Sequence, residues 1–263
     1  MKTIFQTIFL FLLAVGNVNG QYIGDPLLYM PWKKIVLHNE ASFKKYNDLT
    51  WGSGFLINYH KDVIAITARD LTGTTYSWGD IIPVDSFRTE LKSWKMFVSD
   101  DPSQFVLLDS LFMKQRIEKK SFIFLYSAPF LSFSIKEKNE NIIPLEPNVN
   151  RIRNKDSLFV VGYDNDHNLK MVSGIVETPM NEKYSEPDIR LKVEDYIFYS
   201  NFVGAPIVNQ KGEVVGVVNR MYDLKKNKKG RIIRDDKEEE GSYYEYFLNG
   251  TTMRVILGKD YVK

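Results

Sequence analysis

The chain has 263 residues, with 35 Lys and Arg against 33 Asp and Glu, and it has no cysteine. A net charge so close to zero gives no footing for nucleic acid or an acidic surface as partner. The missing thiols exclude cysteine nucleophiles, thiolate metal sites, disulfide staples and a lipid-anchored cysteine, so the fold must be held by its core, which a chain of this length can supply.

In chain order, the first twenty residues, MKTIFQTIFLFLLAVGNVNG, carry one charge, Lys2, then an apolar run from Ile8 to Val15. Val18 and Gly20 suit cleavage before Gln21. This is the plan of a secretory signal peptide over 1–20. The run is short for a membrane span, and no later stretch is longer, so the expectation is an exported protein without stable membrane insertion. An exported chain without cysteine fits a bacterial periplasm or exterior.

Short apolar or alternating runs follow at 32–37, 54–57, 63–67, 105–108, 122–126, 157–161, 171–177, 189–193, 207–209 and 214–220, separated by Gly, Pro, Asn and Asp clusters. Many short strands at close spacing predict an all-β protein built of a sandwich or barrels. The polar segment 136–153, with Pro144 and Pro147, reads as a linker between halves of similar size, 21–140 and 141–263. Lys225 to Arg231 is basic and Asp235 to Glu240 mostly acidic, so 225–240 reads as a solvated hairpin insertion, or alternatively as a partner-binding arm. A short helix is expected to close the chain over 251–257, after Asn249-Gly250 as turn and cap.

Titratable residues add little by themselves. His38, His60 and His167 read as exposed or satisfied side chains. Asp164-Asn165-Asp166 lacks the glycine and distal glutamate of a calcium loop and reads as Asx-turn chemistry. Neither a metal nor a cofactor is expected.

The informative stretch is YSNFVGAPIVNQKGEVVGVV, from Tyr199 to Val218. Gly204-Ala205-Pro206 forms a shaped loop, and 207–209, a turn at Gln210-Lys211-Gly212, and 213–218 form a tight hairpin. With it go Trp51-Gly52-Ser53-Gly54-Phe55-Leu56-Ile57, then Val63-Ile64-Ala65-Ile66-Thr67-Ala68-Arg69-Asp70, then Gln104-Phe105-Val106-Leu107-Leu108. Leu158 to Tyr163 and Ser173 to Val176 fall between the third group and the hairpin. This ordered set resembles the trypsin-like serine proteases of the chymotrypsin fold, in the form found in bacterial trypsin-like peptidases. The resemblance covers most of the mature chain and implies two six-stranded antiparallel β-barrels. It also implies where the triad would be: Asp70 in the histidine slot, Gln104 in the aspartate slot and Val203 in the serine slot.

Acyl transfer by a triad needs an oxygen nucleophile, an imidazole base and a carboxylate that fixes the imidazole's tautomer. Valine, aspartate and glutamine supply none of these in those slots. The resemblance therefore implies an inactive homologue. Asn201, Phe202, Val203 and Gly204 are then the residues of a cleft that holds a peptide or protein partner without cutting it. An endopeptidase with a displaced site and a purely structural scaffold are the alternatives.

Overall fold

The computed structural model describes residues 26–72, 82, 86–112, 129–177, 188–194, 200–233 and 241–257. The expected signal peptide, the expected strand at 122–126 and the acidic half of the 225–240 insertion lie outside them.

Among the described residues, twelve strands close into two barrels. The first contains β1 (Leu37–Phe43), β2 (Ser53–Tyr59), β3 (Asp62–Ala68), β4 (Leu91–Val98), β5 (Asp101–Leu111) and β6 (Phe130–Glu137). The second contains β7 (Ser157–Tyr163), β8 (Leu169–Val176), β9 (Asp188–Val193), β10 (Pro206–Val208), β11 (Val214–Lys226) and β12 (Tyr243–Thr252). The strand orders are β1-β2-β3-β6-β5-β4 and β10-β11-β12-β9-β8-β7. Read in the same direction, the two are one topology used twice, and every pairing within them is antiparallel.

Three apolar cores hold this arrangement. Leu37, Leu56, Ala65, Trp94, Leu131 and Phe133 fill the first barrel. Val160, Leu191, Phe202, Ile207, Val218 and Leu248 fill the second. The third core lies between the barrels and takes Phe55, Ile57, Ile64 and Ile66 from one, and Val161, Val208, Val214 and Val217 from the other. Strands such as β2 and β3 therefore bury both faces, which is why they read as near-continuous apolar runs rather than alternating ones.

Residues 32–37 are not one strand. Trp32–Lys34 form a 3₁₀ turn after Pro31, and Trp32 donates its indole N–H to the Leu27 carbonyl at 2.6 Å. Ile35 and Val36 join the inter-barrel core, and β1 starts only at Leu37. Apolar spacing alone could not separate the two, because both bury the same side chains. The closing helix is shorter than expected, Met253–Leu257. Asn249-Gly250-Thr251 lie within β12, where a Cβ on Gly250 would meet Ile207 and the Val217 carbonyl. The predicted linker is also more than a spacer. Its Leu145 is buried and exchanges backbone hydrogen bonds with β2, while Val214 at the start of β11 does the same with Glu146 and Asn148.

Candidate functional site

The loop at 200–206 forms where the two barrels meet. Ser200–Phe202 make a 3₁₀ turn, Gly204 has φ +88°, and Pro206 opens β10. The positive φ needs glycine, and so does the space: a Cβ there would lie 1.9 Å from the Ser53 carbonyl oxygen and 2.6 Å from Thr67 Oγ1. The hairpin behind it forms as its sequence implies. Asn209 Oδ1 accepts from the amides of Lys211 and Glu213, and Gly212 takes φ +77°.

Asn201, Phe202 and Val203 are committed to packing. Asn201 accepts from the Gly52 amide through Oδ1 (3.2 Å) and donates through Nδ2 to the Asp164 carbonyl (3.4 Å). Ser53 Oγ donates to the Asn201 carbonyl, and the Ser53 amide donates to the Val203 carbonyl at 2.7 Å. Phe202 is fully buried in the second barrel against Gly162. Ser200–Phe202 are in a 3₁₀ turn, a conformation in which amides point to carbonyls three residues back. Ser53 is thus a structural residue, tied through its carbonyl to Thr67 Oγ1 at 2.6 Å, and through Thr67 to Asn39 and Trp94 in the first-barrel core.

Asp70 and Val203 come to the same junction. Asp70 sits in the 3₁₀ turn Arg69–Thr72 after β3, and its neighbour Leu71 packs in one cluster with Val203. Both Leu71 and the Val203 carbonyl flank Gly52. Arg220 of β11 reaches across to Asp70 at 3.8 Å. Burial pushes the Asp70 carboxyl above its usual range, while Arg220 and Arg69 pull it back. Val203 is 9% exposed and presents only methyl groups.

Gln104 does not join them. It stands near the β4–β5 turn and donates through Nε2 to Asp101 at 2.6 Å. Asp70 adjoins the first residue of β6: Ala68 pairs with Phe130, and the Arg69 amide donates to the Pro129 carbonyl at 3.0 Å. Leu107, three residues past Gln104, pairs with Glu137 at the far end of β6. The length of β6, roughly 20 Å at about 3.3 Å per residue, separates the two. The motif Gln-Phe-Val-Leu-Leu matched in composition, but pairing puts it on the fifth strand, and the residues beside Asp70 are Pro129 and Phe130.

The histidines divide. His60 and His167 lie in turns with positive φ and are exposed. His38 corrects the expectation of an exposed or satisfied ring. It is 5% exposed, and its Nε2 has no hydrogen-bond partner. The Asx reading of 164–168 holds, since Asp164 Oδ1 accepts from the amides of Asp166 (2.9 Å) and Asn168 (2.8 Å). Among the described residues, no group of three or more His, Asp or Glu is arranged to hold a metal ion, and no helix is long and apolar enough to cross a membrane.

Comparison with known proteins adds the following. A family model described as the PRC-barrel domain matches residues 194–263, just over a quarter of the chain. Its strands here are β10–β12, which close one barrel together with β7–β9. A search of curated proteins finds no match. Among solved structures, Rv3671c from M. tuberculosis H37Rv, as an inactive form of a serine-to-alanine mutant, aligns with TM-score 0.50 and 11% identity over 90% of this chain and 89% of that one. The active form of the Rv3671c protease from M. tuberculosis aligns with TM-score 0.50 and 12% identity, over 88% and 81%. The HtrA-type protease AlgW, with a tripeptide, aligns with TM-score 0.49 and 10% identity, over 86% of this chain and 58% of that one. At such identity the likeness is one of fold, and the two closed barrels agree with it: this chain has the chymotrypsin-like double-barrel fold of the trypsin-like proteases.

Proposed function

We propose that this is an exported, catalytically inactive protein of trypsin-like fold that binds an extended peptide, or an extended segment of a protein partner, at the inter-barrel cleft. The observation that carries the reading is Val203. At the loop position where the resemblance calls for a nucleophile stands a side chain with no lone pair and no proton to lose.

Peptide binding is supported by strand pairing. β11 pairs with β10 only up to Val217, whereas its pairing with β12 runs to Lys226. From Asn219 to Leu224 one edge of β11 has no strand beside it among the described residues. That edge starts next to Val203 and carries Arg220, whose guanidinium rims the cleft opposite Asp70. An added strand would gain main-chain hydrogen bonds along it, with Val203 as an apolar floor.

The test is a peptide-library selection followed by anisotropy titration, run beside assays for peptide turnover and labelling by serine-directed phosphonates. Selected peptides should bind without being cut. Val203→Asp, which sets a charge on the apolar floor, should weaken binding at least tenfold; the buried charge also lowers the unfolding midpoint, so binding is read well below it. Labelling of purified protein mapped to Ser200, or turnover that disappears on substituting that serine, would overturn the inactive reading.

A further inference from the structure

Two buried polar groups lie beside the 164–168 turn that holds the loop. His38 follows Leu37 and precedes Asn39 on β1. Strand alternation turns those two into the first barrel and His38 outward, against the second. Its ring lies 4.5 Å from Tyr163, 5.3 Å from His167 and 5.8 Å from Phe97, centroid to centroid. Among the described residues, His38 Nε2 and Tyr163 Oη are both buried without a hydrogen-bond partner.

Among the described residues, none of the elements packed on His38 makes a hydrogen bond to its Nε2. β4 offers Phe97. β7 offers Tyr163, whose phenol burial and then the nearby Asp100 charge push up to about 12, so it stays protonated. The turn after β7 offers His167, a second base, and Asp164. The Asp164 carboxylate is already taken by the amides of Asp166 and Asn168, the Asn168 side chain and Lys170. Asp100, from the β4–β5 turn, is paired with Lys33 at 2.7 Å. Burial first, and then His167, hold the His38 imidazolium down to a pKa of about 4. A proton on Nε2 would create a buried cation with no hydrogen-bond partner among the described residues. The turn bearing His167 also holds the cleft loop, because the Asp164 carbonyl accepts from Asn201 Nδ2.

We propose that the His38–His167 contact is an acid-released latch on the cleft. When His38 takes a proton, the turn at 164–168 parts from β1, Asn201 loses its hold on Asp164, and the 201–204 loop loosens so that the cleft opens. The consequence for binding rests on the peptide-binding reading above; the opening itself does not.

Hydrogen exchange of the full chain at pH 7.5 and pH 4.5, corrected for intrinsic rates, tests it. Amides of 164–168 and 201–204 should lose at least tenfold protection at the lower pH, while those of β2 and β3 keep theirs. His38→Phe fills the site without a titrating group and should abolish the difference. His167→Ala, in an exposed turn, should make it shallower, which keeps the idea testable if the first variant does not fold. Equal protection of the wild-type loops at both pH values, or an undiminished loss in both variants, would overturn the latch. The library-selected peptide, titrated at both pH values, separates the two claims. If the loops open and no peptide binds at either pH, the latch stands and the peptide-binding reading falls. If the peptide binds and the loops stay closed, the latch falls alone.

Discussion

The 201–204 loop has two flanks, and they handle polarity in opposite ways. On one, Asp70 and Arg220 keep their charges by pairing across the barrels, with the Arg220 side chain half exposed. On the other, His38 and Tyr163 are buried without partners and stay neutral. The paired flank tolerates water and gains little from its ion pair, whereas the neutral flank is stable only as long as nothing ionises. Both flanks reach the loop through a single residue or two, Leu71 and Gly52 on one side and Asn201 with Asp164 on the other.

Removing what the flanks share should have the largest effect. Gly204→Ala forces a Cβ against backbone at a positive φ, and the Ser53 carbonyl cannot move without shifting β2. A loss of about 3–5 kcal/mol is expected, read by denaturant unfolding, and a loss below about 1 kcal/mol would mean the loop is not the pin of the junction.

Next in size is the neutral flank's response to acid. The folded-state pKa of His38 lies below the unfolded value of 6.5, so its contribution to stability is complete above pH 6.5 and is lost as pH falls toward about 4. That amounts to about 3 kcal/mol between those limits. Urea melts at pH 7 and pH 4 should show it, and His38→Leu should remove most of the slope.

The charged flank should give the smallest effect, with the opposite sign. Asp70 has a raised pKa, so its contribution favours the fold below the unfolded-state value and declines as pH rises through the folded-state one. Asp70→Asn should change stability at pH 7 by less than about 1 kcal/mol, and added salt should matter little. A loss of several kcal/mol in a pH 7 melt would show that the pair is a structural tie after all.

Much of this fold was legible because its local signals agree with one another. Asn209 to Gly212 is turn chemistry between β-branched runs, and Gly204-Ala205-Pro206 fits no helix. The site was legible only in part. Asp70 and Val203 were read from the ordered motifs, and contact brings Asp70's neighbour Leu71 and the Val203 carbonyl together on Gly52. Gln104 was misplaced because an apolar run with one polar leader fits any half-buried strand, and only pairing tells β5 from β6. β4 and β12 escaped because their burial alternates with Lys, Glu, Asn and Tyr, diluting the apolar run. His38 carried no signal at all: its burial comes from Tyr163, far away in sequence and on the other barrel.

The segment between the barrels has a practical consequence. Residues 136–141 are mostly exposed, while Leu145 and Glu146 just beyond are laced to β2 and β11. A chain nicked at Lys138 would therefore not fall apart. The shared apolar core and the laced strand would keep the pieces together, and the same cut offers a place to divide the gene into two complementing fragments. Each half alone would bare the face that Phe55, Ile57, Val208 and Val214 now hide, so neither should stay soluble until it meets the other.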